Sequence, residues 1–242
     1  MIHVTNTLIS QNIKTKKLNT LVFIMSLGKL YLVIVKVNLG GQQGLDLPNL
    51  VSKVSNFLSG YSNATKVIYK FKVSGEPKII AVFEVSNIFG LERNLAGLSR
   101  IGVFDVTCKP LIPYEIFAAS LDVDPSLTHK TSYDPVIKQN ELYWLQFDVG
   151  QEGLTTDELL KIWKQEAEAA LGLKVQNQGL ELFKVVGSRQ VHVFFACDDP
   201  GDIDRMSFNL PLMKLNGANV QLTVQSVMNL DYYTSRIMTE QL

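Results

Sequence analysis

Three polar side chains in otherwise apolar segments have the chemistry for catalysis. His192 stands within Val191–Phe195, and an imidazole can move a proton near neutral pH. Lys184 could stabilise an enolate or bind a carboxylate, and Glu84 could act as a general base if it is buried. The non-catalytic alternatives are a hydrogen-bonded structural histidine and a lysine that reaches solvent at the rim of a sheet. We predict His192, Lys184 and Glu84 as candidate catalytic residues.

The composition narrows the classes of function. Lys+Arg and Asp+Glu number 23 each, so the chain lacks the basic balance typical of nucleic-acid binding. The sequence has no CxxC or HExxH spacing, and we predict no metal site. Cys108 and Cys197 occupy non-equivalent places, which favours reduced thiols over a disulfide. Lys29 and Lys36 interrupt the longest apolar run, so no membrane partner is predicted.

An internal repeat organises the chain. Phe71–Gly75 returns as Phe183–Gly187, at an offset of 112. The length of 242 residues suits two domains of about 100 residues each. Further matches at the same offset join Leu30 with Leu142, Tyr31 with Tyr143, Phe83 with Phe195, and Arg93 with Arg205. We therefore predict a tandem duplication of one small domain.

Hydrophobic periodicity predicts the same elements in both copies, in the order strand, helix, strand, strand, helix, strand. This is the ferredoxin-like arrangement. Thr155 and Glu158 form a capping box before the first helix of copy two. The predicted strands of copy one are 29–38, 66–73, 78–85 and 102–108, and those of copy two are 142–149, 179–186, 190–197 and 219–227.

The repeat also predicts the domain boundaries. We expect an N-terminal extension over 1–24, a first repeat over 25–118, a linker over 119–139 and a second repeat over 140–236. Tyr114 aligns with Tyr232, an offset of 118. The extension is interpreted as disordered or as a signal-like segment, because three lysines precede the apolar run Leu18–Leu27. A cytoplasmic location is predicted unless that segment directs secretion.

The predicted fold class is α+β, with two antiparallel sheets packed face to face as an intrachain dimeric α/β barrel. In the first strand, Tyr31, Val33, Val35 and Val37 form an apolar face that should meet the helices. The opposite, mixed face is typical of a lined pocket between two sheets. A solvated sheet face and a dry interface with another chain are the alternatives. The predicted substrate-binding residues of this inner face are Lys72, Trp144, Gln146, Asp148, Phe194 and Thr223.

One family resembles the second copy. The run from Phe183 to Phe195, followed by Met206 and the segment Asn209–Leu212, resembles muconolactone isomerase. The resemblance implies a ferredoxin-like barrel, no cofactor and an intramolecular proton transfer in a small lactone. Such a reaction needs a general base and a donor that stabilises the enolate. Copy one has Ala96–Ser99 in place of the Leu-Pro-Leu segment, so a site should be centred on copy two.

Two functions stay open at this point. The first is a cofactor-free, muconolactone isomerase-like enzyme with a pocket between the sheets. The second is a non-catalytic small-molecule-binding or structural protein that keeps the fold. Both predict a small-molecule partner, no nucleic acid and no membrane, with a further homo-oligomer as an option. Arg93 and Arg205, beside Glu92 and Asp204, are interpreted as structural ion pairs or caps.

Overall fold

The structure, a computed structural model, describes residues 28–40, 44–60, 63–130, 132–176, 179–237 and 239. The predicted extension over 1–24 lies outside these ranges. Within them, eight strands form one closed barrel in the order β1-β3-β2-β8-β5-β7-β6-β4. The strands are β1 Lys29–Val37, β2 Thr65–Val73, β3 Lys78–Val85, β4 Phe104–Pro113, β5 Glu141–Val149, β6 Leu180–Val185, β7 Gln190–Phe195 and β8 Val220–Asn229. The predicted α+β class with two sheets closed into an intrachain barrel is confirmed.

Helices cover the outside of the barrel. Asp46 accepts a hydrogen bond from the Asn49 N–H at 3.1 Å and caps the first of them. The predicted capping box is confirmed, since Thr155 N–H donates to Glu158 at 2.8 Å and Glu158 N–H donates to Thr155 at 3.3 Å. The helices are α1 Leu47–Ser59, α2 Ile88–Gly97, α3 Tyr114–Ser120, α4 Pro125–Thr128, α5 Thr156–Gln176, α6 Gly201–Asn209, α7 Pro211–Asn216 and α8 Leu230–Ile237.

Three apolar cores hold these layers together. One lies between sheet and helices in each repeat, and the predicted helix-facing residues Tyr31, Val33 and Val35 pack there in repeat one. The third fills the barrel with side chains from both repeats. Phe71 and Phe194 meet inside it with ring centroids 4.9 Å apart. The barrel interior is therefore largely a packed core rather than a continuous cavity.

The strand pairing corrects the alignment of the repeat ends. Val37 pairs with Phe104 in repeat one, and Val149 pairs with Val220 in repeat two. Residues 104 and 220 differ by 116, so repeat two has four extra residues before its last strand, not six. Tyr114 is accordingly equivalent to Leu230, and each residue begins the helix after the last strand of its repeat. The predicted match of Tyr114 with Tyr232 is wrong, because it was chosen by residue type.

The two repeats meet along two short seams. Strand β2 pairs with β8 over three residue pairs, and β4 pairs with β6 over three. The pairing within a repeat is longer: β5 and β8 pair over nine residues, and β1 and β3 over eight. The seams close the barrel, while most of the backbone hydrogen bonds between strands belong to one repeat or the other.

Residues 133–137 cover one end of the barrel, which we call the linker end. Tyr133 and Ile137 are buried against the interior core. The Val136 N–H donates to the Tyr69 hydroxyl oxygen at 2.9 Å. The same hydroxyl lies 3.5 Å from Glu181, its equivalent in the other repeat at the offset of 112. The contact of two equivalent residues shows that the pseudo-twofold axis of the barrel passes between them.

A buried ion cluster ties the linker to the second repeat. Lys130 lies 3.5 Å from Glu115 and 3.3 Å from Glu181. Lys174 of α5 contacts the same two carboxylates. The four side chains are at most 13% exposed. Burial alone would raise the pKa of Glu115, but the charges of Lys174 and Lys130 hold it below its usual range.

Of the helices in the described ranges, none is both long and apolar enough to cross a membrane.

Candidate functional site

The predicted binding residues of repeat two lie together inside the barrel. Trp144 and Phe194 belong to the interior core. Gln146 of β5 pairs with His192 on one side and with Thr223 on the other, and strand alternation places Asp148 on the same face. The inner-face positions of these residues therefore agree with the alternation of the sequence. Their proposed roles in binding stay a prediction.

Lys72 and Lys184 lie on the helix side, so the prediction that they face the inside is wrong. Lys184 Nζ donates to the carbonyl oxygens of Val185, at 2.8 Å, and of Ser188. Its ammonium also lies 5.3 Å from the centre of the Phe117 ring. Burial lowers the pKa of the Lys184 side chain. Lys184 therefore holds the β6–β7 turn.

Lys72 has the same structural role in repeat one. Its Nζ donates to the carbonyl oxygens of Val73 and Glu76 and lies 5.5 Å from the centre of the Tyr233 ring. Burial lowers the pKa of Lys72, against a smaller opposite effect of the Glu76 charge. Residues on both faces of β2 and β6 are buried, so alternation did not indicate which way these lysines point.

Glu84 lies at the linker end, apart from the other predicted catalytic residues. It accepts a hydrogen bond from the Gly28 N–H at 3.2 Å and lies 3.8 Å from Lys66. Burial, with a smaller contribution from the nearby charge of Glu84, raises the pKa of the Tyr133 phenol to about 12. His192 lies toward the opposite end, in register with Gln146. The structure does not join Glu84 and His192 in one site.

His192 is completely buried beside Trp144. The Trp144 indole N–H donates to His192 Nδ1 at 3.1 Å, and the two rings stack with centroids 5.6 Å apart. Burial, with a smaller contribution from the charge of Lys109, lowers the pKa of His192 to about 3. The imidazole is therefore neutral near pH 7, which argues against proton shuttling. Its Nε2 has no hydrogen-bond partner among the described residues.

The sequence analysis missed a cleft between the helices and the sheet of repeat two. Its inner part is a cavity of about 30 Å³ with an almost wholly apolar lining. Glu166 and Tyr114 bring the polar groups to this lining. A larger outer part of about 880 Å³ opens to the surface. Leu173, Met206 and Leu210 line both parts, so the cavity lies directly beneath the outer opening. We call the two parts together the helix–sheet cleft.

Glu166 is the acidic group of the inner cavity. One of its carboxylate oxygens accepts the Leu212 N–H, at the start of α7, at 2.9 Å. Burial raises the pKa of Glu166 to about 7, although the Leu212 hydrogen bond acts in the opposite direction. The offset of 112 places Val54 at the equivalent position of repeat one. That difference between the repeats was the sequence signal that could have found Glu166.

Tyr114 brings a hydroxyl to the same cavity. The Trp163 indole N–H donates to the Tyr114 oxygen at 3.1 Å. Burial, together with the nearby charge of Glu166, raises the pKa of this phenol far above its usual range. Tyr114 therefore keeps its proton and can donate one hydrogen bond.

The rim of the outer cleft is charged. Arg205 lies 2.7 Å from Asp199 and 2.6 Å from Asp202, in agreement with the structural ion pair expected for this arginine, although the partner is not Asp204. Cys197 lines the cleft as a free thiol. In the part of the chain that the structure describes, no group of three histidine, cysteine or acidic residues could hold a metal ion.

Among the comparisons with known proteins, the one with solved structures found similar folds. No protein-family model and no curated protein matches the sequence. Chlorite dismutase from Candidatus Nitrospira defluvii, in complex with imidazole, is similar with a TM-score of 0.55 and 10% identity, over 88% of this chain and 96% of that one. A protein provisionally assigned as a chlorite dismutase is similar with a TM-score of 0.54 and 12% identity, over 86% and 98%.

These neighbours overturn the resemblance to muconolactone isomerase. The similar structures are chlorite dismutases and not isomerases. The residues behind the resemblance have structural explanations: Lys184 holds a turn in which Gly187 has a φ of +73°, and Pro211 begins α7. At this low identity the likeness shows the fold alone, a ferredoxin-like dimeric α/β barrel within one polypeptide.

Proposed function

We propose that this chain binds a small, largely apolar molecule in the helix–sheet cleft of repeat two, with Glu166 contacting its polar group. The observation that carries the proposal is a buried carboxyl in the lining of an otherwise apolar cavity beneath a surface opening. A concave apolar site with few convergent polar groups is the usual form of a ligand pocket.

The other repeat supports a role for Glu166 beyond folding. Val54, at the equivalent position of α1, is fully buried, so the fold accepts an aliphatic residue there. Glu166 also accepts the Leu212 N–H at the start of α7. Burying a carboxyl, which raises its pKa, costs free energy that a single hydrogen bond to an N–H does not justify. A contact with a ligand would explain why repeat two has an acid at this position.

The lining indicates the class of ligand. Near pH 7 Glu166 exists in both protonation states, so it can either donate or accept a hydrogen bond. The Tyr114 hydroxyl is a second polar group that can contact the ligand. The inner cavity has room for about one water molecule, so a ligand would extend from it into the outer cleft. A flat hydrophobic ring with one hydroxyl group meets these requirements.

Haem, the cofactor that the structural neighbours suggest, does not fit the cleft. Histidine is the common protein ligand of haem iron, but of the two histidines that the structure describes, His192 lies inside the barrel and His129 lines a different surface depression. The outer cleft does contain Cys197 and Met206. Its rim carries aspartates, and Arg205 is already paired with two of them, so the propionates of a haem would meet carboxylates.

A pair of ligands tests the site. We expect 2-naphthol and 2-methylnaphthalene to bind saturably, as followed by fluorescence titration of the purified protein. Leu173→Trp should abolish both interactions, because Leu173 lines both parts of the cleft. Glu166→Val should weaken binding of 2-naphthol about tenfold and leave 2-methylnaphthalene unchanged, because about 1.4 kcal/mol of hydrogen bonding is lost.

Leu160→Trp is the matched control for the added volume. Leu160 lies on the same helix as Leu173 and is 39% exposed, so this variant should bind both ligands like the wild type. The proposal fails if neither ligand saturates, or if Leu173→Trp binds both of them unchanged.

The remaining expectations stay proposals. The repeat boundaries, the linker over 119–139 and a further homo-oligomer rest on the sequence alone. A small-molecule ligand agrees with the cleft, and neither the described fold nor its neighbours indicates a nucleic-acid or membrane partner.

A further inference from the structure

The inner faces of the two repeats differ toward the end of the barrel opposite the linker, which we call the polar end. On β1 and β3 of repeat one this face is aliphatic, and Leu32 and Ile80 are completely buried in it. The fold therefore accepts aliphatic side chains at these positions. The equivalent pairs at the offset of 112 are Leu32 and Trp144, Ile34 and Gln146, and Ile80 and His192.

His192 carries a hydrogen-bond donor without an acceptor. Because Nδ1 accepts from the Trp144 indole, the proton of the neutral ring is on Nε2. That nitrogen is buried and has no partner among the described residues. Trp144 belongs to β5, the neighbour of β7 on one side, so Nε2 lies on the side of the ring away from Trp144. Buried N–H groups in native proteins nearly always have an acceptor.

Lys109 supplies a second donor at the same end. Strand alternation from the buried Leu111 places Lys109 inside the barrel, and its positive charge is close enough to lower the pKa of His192. Lys109 Nζ donates to Gln190 Oε1 at 2.7 Å, which uses one of its three N–H groups. The amide of Gln190 donates in turn to Asp148, at 2.9 and 3.1 Å. Asp148 is therefore held by Gln190.

The exposure of these side chains falls from the end of the barrel toward its interior. Asp148 and Thr223 are exposed at the strand ends, Gln146 and Lys109 are partly buried, and His192 is completely buried. A small molecule that enters between the exposed residues would pass polar side chains before it reached His192.

We propose that the polar end of the barrel binds a small carboxylate, with one oxygen accepting from His192 Nε2–H and the Lys109 ammonium neutralising its charge. The cation favours a carboxylate over a neutral carbonyl compound. The aromatic rings of Trp144 and Phe194 beneath it favour an aryl or alkyl body. This site lies inside the barrel, and the helix–sheet cleft lies outside it, so the two proposals are independent.

Benzoate and benzamide are the probes, because they share a ring and differ in charge. In two-dimensional ¹⁵N–¹H spectra of the imidazole groups, benzoate should move the Nε2 resonance of His192, which His192→Ile identifies by its disappearance. Benzoate should also raise the melting temperature of the wild type. Lys109→Met should weaken benzoate binding at least tenfold, and Lys53→Met, at an exposed position of α1, should leave it unchanged.

His192→Ile places the residue of repeat one in repeat two, so we expect it to fold and to lose the effect of benzoate. Leu173→Trp should retain that effect, which separates this site from the helix–sheet cleft. The proposal is overturned if saturating benzoate leaves the His192 resonance unmoved, if benzamide binds as tightly as benzoate, or if folded His192→Ile binds benzoate like the wild type.

Discussion

Replacing Lys174 by methionine is expected to lower the free energy of unfolding by about 3 kcal/mol at pH 7. The change removes the cation that contacts both Glu115 and Glu181 and leaves two buried carboxylates with Lys130 alone. Removing one partner of a buried ion pair is strongly destabilising, because the other charge stays buried without compensation. Urea denaturation followed by tryptophan fluorescence measures the loss.

Lys161→Met is the matched control, because Lys161 lies on the same helix at an exposed position. We expect it to change the free energy of unfolding by less than about 0.5 kcal/mol. The Lys174→Met variant should regain stability as the pH is lowered toward 5, because one carboxylate of the cluster can then take up a proton. Equal losses in the two variants would contradict the role assigned to the ion cluster.

Glu166→Gln is expected to stabilise the protein above pH 7 by about 3 kcal/mol. Burial raises the pKa of Glu166 from 4.5 to about 7, so the folded state keeps a proton that the unfolded chain releases. The free energy of unfolding should therefore fall as the pH rises from about 4.5 to 7 and stay level above that. Each factor of ten in proton affinity corresponds to about 1.4 kcal/mol, which gives the size of the effect.

Glutamine imitates the protonated acid and can still accept the Leu212 N–H. Denaturation at several pH values between 4.5 and 8.5 gives the free energy of unfolding of each variant. The values for the wild type and Glu166→Gln should diverge as the pH rises. Glu168→Gln, at an exposed position two residues along the same helix, should follow the wild type. If the free energy of unfolding depends on pH in the same way for the wild type and Glu166→Gln, Glu166 is ionised in the folded protein throughout this range.

Local sequence patterns predicted most of the elements and the overall architecture. Strand β3 was predicted within its observed bounds, Lys78–Val85, because a turn precedes it and its residues are apolar and β-branched. Strand β4 extends to Pro113, beyond the predicted residue 108. The strand includes Pro110 and Pro113, because a proline can stand in a strand where its missing N–H is not needed for the ladder.

The candidate sites were harder to predict, because they depend on contacts between distant segments. Strand alternation placed Trp144 and Gln146 correctly, since one face of β5 is clearly more polar than the other. It failed for Lys184, which is flanked by buried residues on both faces of β6. Glu166 escaped notice because a glutamate in a long helix is ordinarily exposed, and only the packing of α7 against α5 buries it.

The short seams between the repeats have a consequence for how the barrel is made. Lys72 and Met228, which pair across one seam, are 156 residues apart in the chain. During synthesis the first repeat is finished while the edges of β2 and β4 still lack their partners, and such unpaired edges can join to other chains. Before closure the free edge runs along all nine residues of β2 and all ten of β4, and closure pairs only three residues of each. Synthesis of the second repeat therefore ends the period in which the full length of both edges is available for aggregation on the ribosome.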